Sequence, residues 1–430
     1  MSSWMKTAAL ALALSLSPPA GAQDEVAAWN ADLDAFLSTL LEAHDNPYFH
    51  TPQAEFEAAV AAYRSSLATM SYAERVTGLA RISALVGDGH TWMPLHAIPF
   101  HNPPMGPGFR SLPVRFEVFE EGVFIVGAVR EHGALVGARV TAFGTTPVAD
   151  ARALILSLLP QDAVNFASEL APEWLMQAEV LQALGVVEDA DSVTLSLELD
   201  GRSEQVTLTP LAADQLYNWI SDMDTGPGDL DWTRLEAPMP FWLEPFDGPS
   251  RTVVLDGAVY LQINEIRDGE QMSYADAGAA AVALAEALPA PALVLDLRRC
   301  LGGDGTLNAG LMRAIAGSEV LNGQGRIAVL TSRQTHSAAV MLVSDLEQET
   351  DALFYGQATA DRPNHYGETN FFVTPNSHLP IIHASEYYQT SHAGDDRLYR
   401  TPDVPIPYRF SDYAAGTAPV LARALADLTE

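Results

Sequence analysis

The sequence almost lacks lysine. Lys6 is the only lysine in 430 residues, and arginines make up the rest of the 23 basic residues. Arginine stays protonated at any working pH, so it cannot serve as a general base or form a Schiff base. If Lys6 is removed during maturation, three mechanisms are excluded: Schiff-base chemistry, a P-loop lysine and a serine–lysine dyad.

Residues 1–22 have the three parts of a secretory signal peptide. MSSWMK is a short positive segment, TAALALALSLS is apolar, and PPAGA ends in an A-x-A cleavage signal. The apolar segment is too short to span a bilayer. An ordinary N-terminal helix is the alternative, but the sequence turns polar abruptly at Gln23. We therefore predict a periplasmic or secreted protein, with no membrane insertion after signal cleavage.

Positive charge and cysteine are also scarce. The chain has 55 acidic residues, a formal net charge of -32 and a single cysteine, Cys300. Such a charge repels nucleic acids, and a lone cysteine can form no internal disulfide. The histidines form no H-E-x-x-H motif and no cluster with cysteine, so the sequence predicts neither a metal nor an organic cofactor.

The pattern divides the mature chain into four parts. Apolar residues recur at helical spacing in an N-terminal helical domain over 23–95, and alternate as in strands in a β-rich domain with a helical insert over 107–212. An acidic linker covers 213–250, and a catalytic α/β domain covers 251–430. Within the second part, HGALVGARVTAFGTTPVADARALI resembles the strand, turn and helix of a PDZ domain. A plain β-rich spacer is the alternative.

The last part alternates strands and helices. ALVLDL, at 292–297, is a continuous apolar run of the kind buried in parallel sheets. RIAVLTS and ALFYGQ are further strands, with helical segments between them. This βαβ succession predicts a parallel sheet. Together with the two preceding parts, it predicts an α/β fold with an N-terminal helical cap and a β-rich middle domain.

Two places could carry chemistry, because the carboxyl ends of parallel strands collect catalytic groups. One is the GGDG turn after ALVLDL, where glycines can present N–H groups to an oxyanion. The other is Ser337, at the start of the helix after RIAVLTS. A serine at that position is also a favoured helix N-cap, and position alone favours the capping role.

Five segments, in order, resemble the tail-specific (C-terminal processing) serine peptidases and their tricorn-like relatives. They are GDGHT, LVLDLRRCLGGDG, VLTSRQTHSAAVMLVSDL, YGQATADRPNHYGE and RTPDVPIP. The resemblance covers 87–91 and 253–428. It implies a crotonase-like core, a peptide or protein substrate and no cofactor.

The resemblance also implies site residues. Ser337 would be the nucleophile, and the oxyanion donors would be Ala338 with Gly302 or Gly303. His365 and Tyr366 would line the substrate pocket. One branch of the family uses a lysine 25 residues after the serine, a position that Arg362 occupies here.

The tricorn-like branch uses a histidine base and an acid instead. His90 in GDGHT aligns with that base, and Asp396 aligns with the acid. His336 and His365 are alternative bases, although neighbouring side chains at a helix start diverge, which disfavours contact between His336 and Ser337. Asp395 and Glu386 compete with Asp396 as the acid.

Two positions depart from the family pattern: Cys300 replaces an asparagine, and Val340 replaces an acidic residue. Two hypotheses follow. The first is an exported serine-type peptidase or peptidase-like hydrolase that cleaves peptide bonds through an acyl-enzyme on Ser337. The second is an inactive protein that binds a peptide or apolar ligand, since the retinoid-binding proteins of the eye resemble the same core.

Overall fold

A computed structural model of the chain describes residues 20–95, 108–212, 232–236, 238–323 and 325–429. Residues 1–19 of the predicted signal peptide and 213–231 of the predicted linker lie outside the described residues. Within these ranges, no helix combines the length and the apolar character needed to cross a membrane.

Three helices occupy the N-terminal part: α1 (Ala20–Ala43), α2 (Gln53–Ser66) and α3 (Tyr72–Ala84). In α1, Leu33, Phe36 and Leu40 recur at helical spacing and are fully buried in the core. A capping box between Ser71 and Glu74 fixes the start of α3. The helical periodicity of the sequence is confirmed here.

A seven-stranded antiparallel sheet follows, in the order β1-β2-β3-β5-β6, with β4 beside β3 and β7 beside β2. Its strands are β1 (Val114–Phe119), β2 (Gly122–Val129), β3 (Arg139–Phe143), β4 (Thr146–Pro147), β5 (Val193–Leu199), β6 (Arg202–Leu208) and β7 (Trp232–Arg234). The helical insert contains α4 (Val148–Leu156), α5 (Val164–Trp174) and α6 (Ala178–Ala183).

Strand β7 lies within the stretch that the sequence assigns to a linker. It pairs with the second half of β2, where Thr233 opposes Ala128. A strand of three residues is too short to show alternation, so its sequence pattern carries no strand signal.

The C-terminal part contains a six-stranded sheet in the order β17-β12-β11-β10-β9-β8, parallel except for the β8–β9 pair. Its strands are β8 (Ser250–Leu255), β9 (Ala258–Ile263), β10 (Leu293–Asp296), β11 (Ile327–Thr331), β12 (Leu353–Gly356) and β17 (Val404–Pro405). Two hairpin-like pairs join β13 (His365–Gly367) to β16 (Glu386–Tyr388) and β14 (Asn370–Val373) to β15 (Pro380–His383).

Helices cover both faces of this sheet. They are α7 (Tyr274–Glu286), α8 (Asn308–Ala316), α9 (Ala338–Glu349) and α11 (Pro419–Thr429). Helix α10 (Phe410–Ala414) packs instead against β1 and β2 of the other sheet. Leu293 and Leu295 of β10 pack in the cluster that includes α7, α8 and α9, whereas Val294 packs in the cluster that includes α11. Both faces of β10 are therefore buried, which explains its continuous apolar run. The structure confirms a mixed α/β fold.

The N-terminal part docks against the C-terminal part through backbone pairing. Trp92 and Ile382 exchange two hydrogen bonds of 3.0 and 2.9 Å. The Thr91 hydroxyl accepts a hydrogen bond of 3.1 Å from the Ala384 N–H. These contacts bring the 87–91 turn to the carboxyl end of the parallel strands.

Candidate active site

Ser337 is the last residue of the turn between β11 and α9. It has φ 54° and ψ -127°, a backbone conformation that costs a residue with a side chain about 1–3 kcal/mol. Ser337 occupies the N-cap position of α9, yet its side chain makes no capping hydrogen bond. The half-exposed hydroxyl is therefore free for another role, and helix capping does not account for this serine.

The turn before Ser337 is bonded to the loop that follows β10. The Thr335 hydroxyl donates to the Leu297 carbonyl at 2.9 Å, and the His336 N–H donates to the Cys300 carbonyl at 3.0 Å. The Ser332 hydroxyl donates to the Arg298 carbonyl at 2.5 Å. This network holds the serine turn beside the glycine turn.

Gly302 and Gly303 both have a positive φ, 110° and 132°. A Cβ on Gly302 would lie 2.7 Å from the Ser337 Cβ and 3.0 Å from the Ala338 nitrogen. The Gly302 carbonyl accepts from the Ile266 N–H at 2.8 Å, which fixes the turn from its other side. The glycine turn thus lies against the N-terminus of α9, where an oxyanion hole for a carbonyl attacked by Ser337 would form.

Replacing Gly302 with alanine is expected to lower hydrolysis at least about 100-fold, the typical effect of losing one oxyanion donor. The added methyl would collide with Ser337 and Ala338, so the free energy of unfolding should also fall by about 1–3 kcal/mol. Gly257→Ala is the matched control, because Gly257 has φ 86° but nothing within 4 Å of an added Cβ. Peptide-cleavage rates and thermal unfolding measure both effects, and an active Gly302→Ala protein would contradict this oxyanion-hole assignment.

Four aromatic rings form a column beside Ser337. Phe166 of α5 stacks on His336 at 4.1 Å between ring centroids, and His336 stacks on His90 at 4.5 Å. His90 in turn lies nearly parallel to His365 at 5.8 Å. All four side chains are buried, so the column assembles three histidines from three distant parts of the sequence.

Asp361, in the loop after β12, is the acid that meets this column. One of its carboxylate oxygens lies 2.9 Å from His336 Nε2 and accepts a longer hydrogen bond of 3.4 Å from the Ser337 N–H. Burial would raise the pKa of Asp361, but the neighbouring charge of His336 outweighs it and lowers that pKa. Burial would lower the pKa of His336, but Asp361 raises it. His336 and Asp361 therefore form a buried ion pair.

His90 has the opposite properties. Burial, followed by the charge of His336, lowers its pKa well below the ordinary value, while Asp361 opposes that shift. Neither ring nitrogen has a hydrogen-bond partner among the described residues, and the nearby Tyr366 carbonyl favours the protonated ring without reaching hydrogen-bond geometry. Neutral His90 can therefore accept a proton, whereas Asp361 favours the protonated form of His336.

The 87–91 turn is itself held in place by a histidine–aspartate contact. The Asp88 carboxylate accepts from the His90 N–H at 2.8 Å and contacts His44 Nε2 at 3.1 Å. The Asp162 N–H donates to the Gly87 carbonyl at 2.9 Å. These bonds fix the backbone that carries His90.

His365 and Tyr366 line a pocket next to this column, together with Asp88, Gly89 and Asp361. The pocket is small, with a cavity volume of about 10 Å³. His365 Nδ1 lies 3.2 Å from the carbonyls of Arg362 and Pro363, and burial lowers its pKa. Both residues therefore line one pocket beside the histidine column.

The structure does not bring the other predicted acids to the column. Asp396 and Glu386 are exposed, and Asp395 is buried in an ion pair of 2.7 Å with Arg397. Hydrogen bonds to Arg397 lower the pKa of Asp395. Within the described ranges, no hydrogen bond or ion pair joins any of these three acids to His90.

The departures from the family pattern have clear structural environments. Arg362 forms an ion pair of 2.8 Å with Asp162 of the helical insert. Burial raises the pKa of the Cys300 thiol to about 12, so the thiol stays protonated and is not a rival nucleophile. Val340 lies in α9, and its side chain is buried.

The sequence interpretation missed Asp361 and Phe166. Asp361 immediately precedes Arg362, which occupies the position of the lysine in one branch of the family. This adjacency is the one sequence signal that could have identified Asp361. Phe166 lies in the helical insert, where the spacing of the apolar residues indicates only that they are buried in a hydrophobic core. Neither residue carries a local pattern that predicts its contact with His336.

No protein-family profile matches the chain. A comparison with curated proteins finds no match either. The solved structure of mature CPAF complexed with lactacystin is similar, with a TM-score of 0.61 at 14% identity over 93% of this chain and 97% of that chain. The crystal structure of mature CPAF gives a TM-score of 0.57 at 14% identity over 93% and 96% of the two chains.

A photosystem II D1 C-terminal processing protease matches with a TM-score of only 0.39, at 12% identity over 88% of this chain and 93% of that chain. That score is too low to establish a shared fold. The two CPAF structures are similar over nearly the whole of both chains, and at 14% identity they establish fold alone. The chain therefore has an overall fold similar to that of mature CPAF.

Proposed function

We propose that this protein is an exported serine-type peptidase that cleaves peptide bonds in a peptide or protein substrate. The observation that carries the proposal is the position of Ser337: strained, half-exposed, uncapped, and in contact with the glycine turn. The similarity to mature CPAF supports it at the level of the fold. The motif order supports a crotonase-like core with a PDZ-like middle domain, in which α4 follows β3 and β4.

In the proposed reaction, the Ser337 oxygen attacks the scissile carbonyl and His90 accepts the hydroxyl proton. The N–H groups of Ala338 and of the glycine turn stabilise the oxyanion. His90 then donates its proton to the leaving amine as the C–N bond breaks, leaving an acyl ester on Ser337. Water, deprotonated by His90, hydrolyses the ester and regenerates the serine.

Asp361 is the positioning acid in this proposal, in place of Asp396. A nitrogen of His90 and an oxygen of Asp361 lie within 4.8 Å of each other, so the carboxylate would stabilise the imidazolium that forms on His90. The contact between Asp361 and the Ser337 N–H links the same acid to the nucleophile turn.

The test is covalent labelling of the purified protein with a fluorophosphonate, followed by mapping of the adduct by mass spectrometry. We expect one adduct, on Ser337. The labelling rate should fall as pH drops through the pKa of His90, because a protonated imidazole cannot accept the hydroxyl proton. Since burial and His336 lower that pKa, the acid limb should lie below pH 6.5, the ordinary value for histidine.

A limb above pH 6.5 would contradict His90 as the base, and an adduct on another residue would contradict Ser337 as the nucleophile. The second candidate function, a ligand-binding protein without catalysis, is favoured by one observation: the His90 nitrogens make no hydrogen bond to Ser337 in the described structure. Catalytic hydrogen bonds often tighten only when substrate binds. A folded protein that never labels at Ser337 would support the binder.

A further inference from the structure

One group of side chains has the composition and spacing of a metal site. A nitrogen of His90, a nitrogen of His336 and an oxygen of Asp361 all lie within 4.8 Å of one another. Two ligand atoms on one tetrahedral zinc ion are about 3.3 Å apart, given bonds of about 2.0–2.2 Å. The separation of 2.9 Å between His336 Nε2 and Asp361 is close to that value, so a small shift would admit an ion.

The surroundings of these ligands also fit a metal. A histidine that binds metal usually donates its other ring N–H to a carbonyl, which leaves the remaining nitrogen for the ion. His336 Nδ1 lies 3.3 Å from the Leu301 carbonyl, so Nε2 faces Asp361. An ion bound to Nε2 would displace the proton that this nitrogen directs at Asp361, and that proton would be released to solvent. Both nitrogens of buried His90 lack a hydrogen-bond partner in the described part of the chain.

The backbone at Gly89 packs directly against two of these ligands. A Cβ at this position would lie 2.5 Å from Asp361 Oδ1 and 2.9 Å from His336 Nε2. A small pocket adjoins them and is lined by Asp88, Gly89 and Asp361. The formal charge of -32 concentrates cations around the molecule.

We propose that His90, His336 and Asp361 bind a divalent transition-metal ion of the zinc class, and that its binding switches off the peptidase. Two imidazoles and one carboxylate are ligands that Zn²⁺ accepts. A nitrogen of His90 that coordinates the ion cannot also take the proton of Ser337. The metal site stands on the geometry alone, whereas its inhibitory effect rests on the proposed function.

The binding experiment uses Co²⁺ as a spectroscopic substitute for Zn²⁺, added to purified protein freed of metal by a chelator. We expect one equivalent of Co²⁺ with the visible absorption of a low-coordinate site, displaced by one equivalent of Zn²⁺. His90→Ala should weaken binding at least about tenfold, because even the loss of a residue that hydrogen-bonds a metal ligand costs about 10–100-fold in affinity. His392→Ala is the matched control, since His392 is exposed and is not one of the three clustered ligands.

Gly89→Ala is a second variant that removes no ligand, and its methyl group would collide with Asp361 and His336. It should also lose Co²⁺ binding while circular dichroism shows a folded protein. Absence of saturable binding by the unmodified protein, or an equal loss in His392→Ala, would overturn the metal site.

Inhibition is measured separately, as the rate of fluorophosphonate labelling with and without Zn²⁺. We expect at least a tenfold loss that a chelator reverses. Ser337→Ala should keep the Co²⁺ spectrum although it cannot be labelled, which separates the two proposals. A bound metal in a protein that never labels would leave the site intact and overturn the peptidase. Unchanged labelling of a zinc-loaded protein would overturn the inhibitory role.

Discussion

Ser337→Ala is expected to lower the hydrolysis of a generic substrate, such as fluorescently labelled casein, by a factor on the order of 10⁴ to 10⁶. The loss is this large because the acyl-enzyme can no longer form, and the oxyanion donors alone supply only a residual acceleration. The variant should fold normally, since the hydroxyl of Ser337 makes no capping hydrogen bond. Casein cleavage and thermal unfolding measure the two effects.

A second substitution at the same position separates chemistry from strain. Ser337→Gly should be as inactive as Ser337→Ala, but its free energy of unfolding should be higher by about 1 kcal/mol. The reason is the φ of 54°, which glycine adopts without the penalty that a Cβ imposes. Activity retained in both variants would exclude Ser337 as the nucleophile, and equal stability would argue against stored backbone strain.

Features of the fold that depend on local pattern could be predicted from the sequence. The apolar run of β10 is buried on both faces, and Ser337 does lie between a strand and a helix. The GGDG turn could be located because Gly302 and Gly303 adopt backbone conformations that other residues avoid. In each case, a few consecutive residues determine the burial or the backbone conformation that is predicted.

Features that depend on which loops meet could not be predicted in this way. Asp361 is one of 55 acidic residues, and only the tertiary fold shows that its carboxylate reaches His336. The resemblance to the peptidase family indicates Asp396 instead, and that residue is exposed. Similarly, the sequence predicts no metal because His90 and His336 are far apart along the chain, and their stacking becomes visible only in three dimensions.

The negative charge of Asp361 explains why the two stacked histidines His90 and His336 can have different roles. Three buried imidazoles cannot all be protonated, because each charge repels the next and burial disfavours every one of them. Asp361 lies against His336 and stabilises the proton there, while His90 and His365 have lowered pKa values. Asp361 therefore favours a proton on His336 rather than on its neighbours, and His90 remains available as the base.

Asp361→Asn is expected to lower kcat by a factor on the order of 10⁴, with KM little changed. The amide keeps the size of the side chain but carries no charge, so it cannot stabilise the imidazolium that forms on His90. It also cannot hold the proton on His336. Kinetics with a peptide substrate, measured after circular dichroism has shown that the variant folds, test this expectation.

Asp396→Asn is the matched control, and it separates the acid indicated by the structure from the acid indicated by the motif alignment. Because Asp396 is exposed, its loss should leave kcat within about twofold, as for other surface substitutions. Asp361→Glu should restore part of the activity, since it returns the charge at a slightly different distance from His336. In the opposite outcome, Asp361→Asn would keep full activity and Asp396→Asn would lose it. That result would mean that the 391–400 loop moves to His90 when substrate binds. Asp361 would then serve only to hold the Ser337 turn.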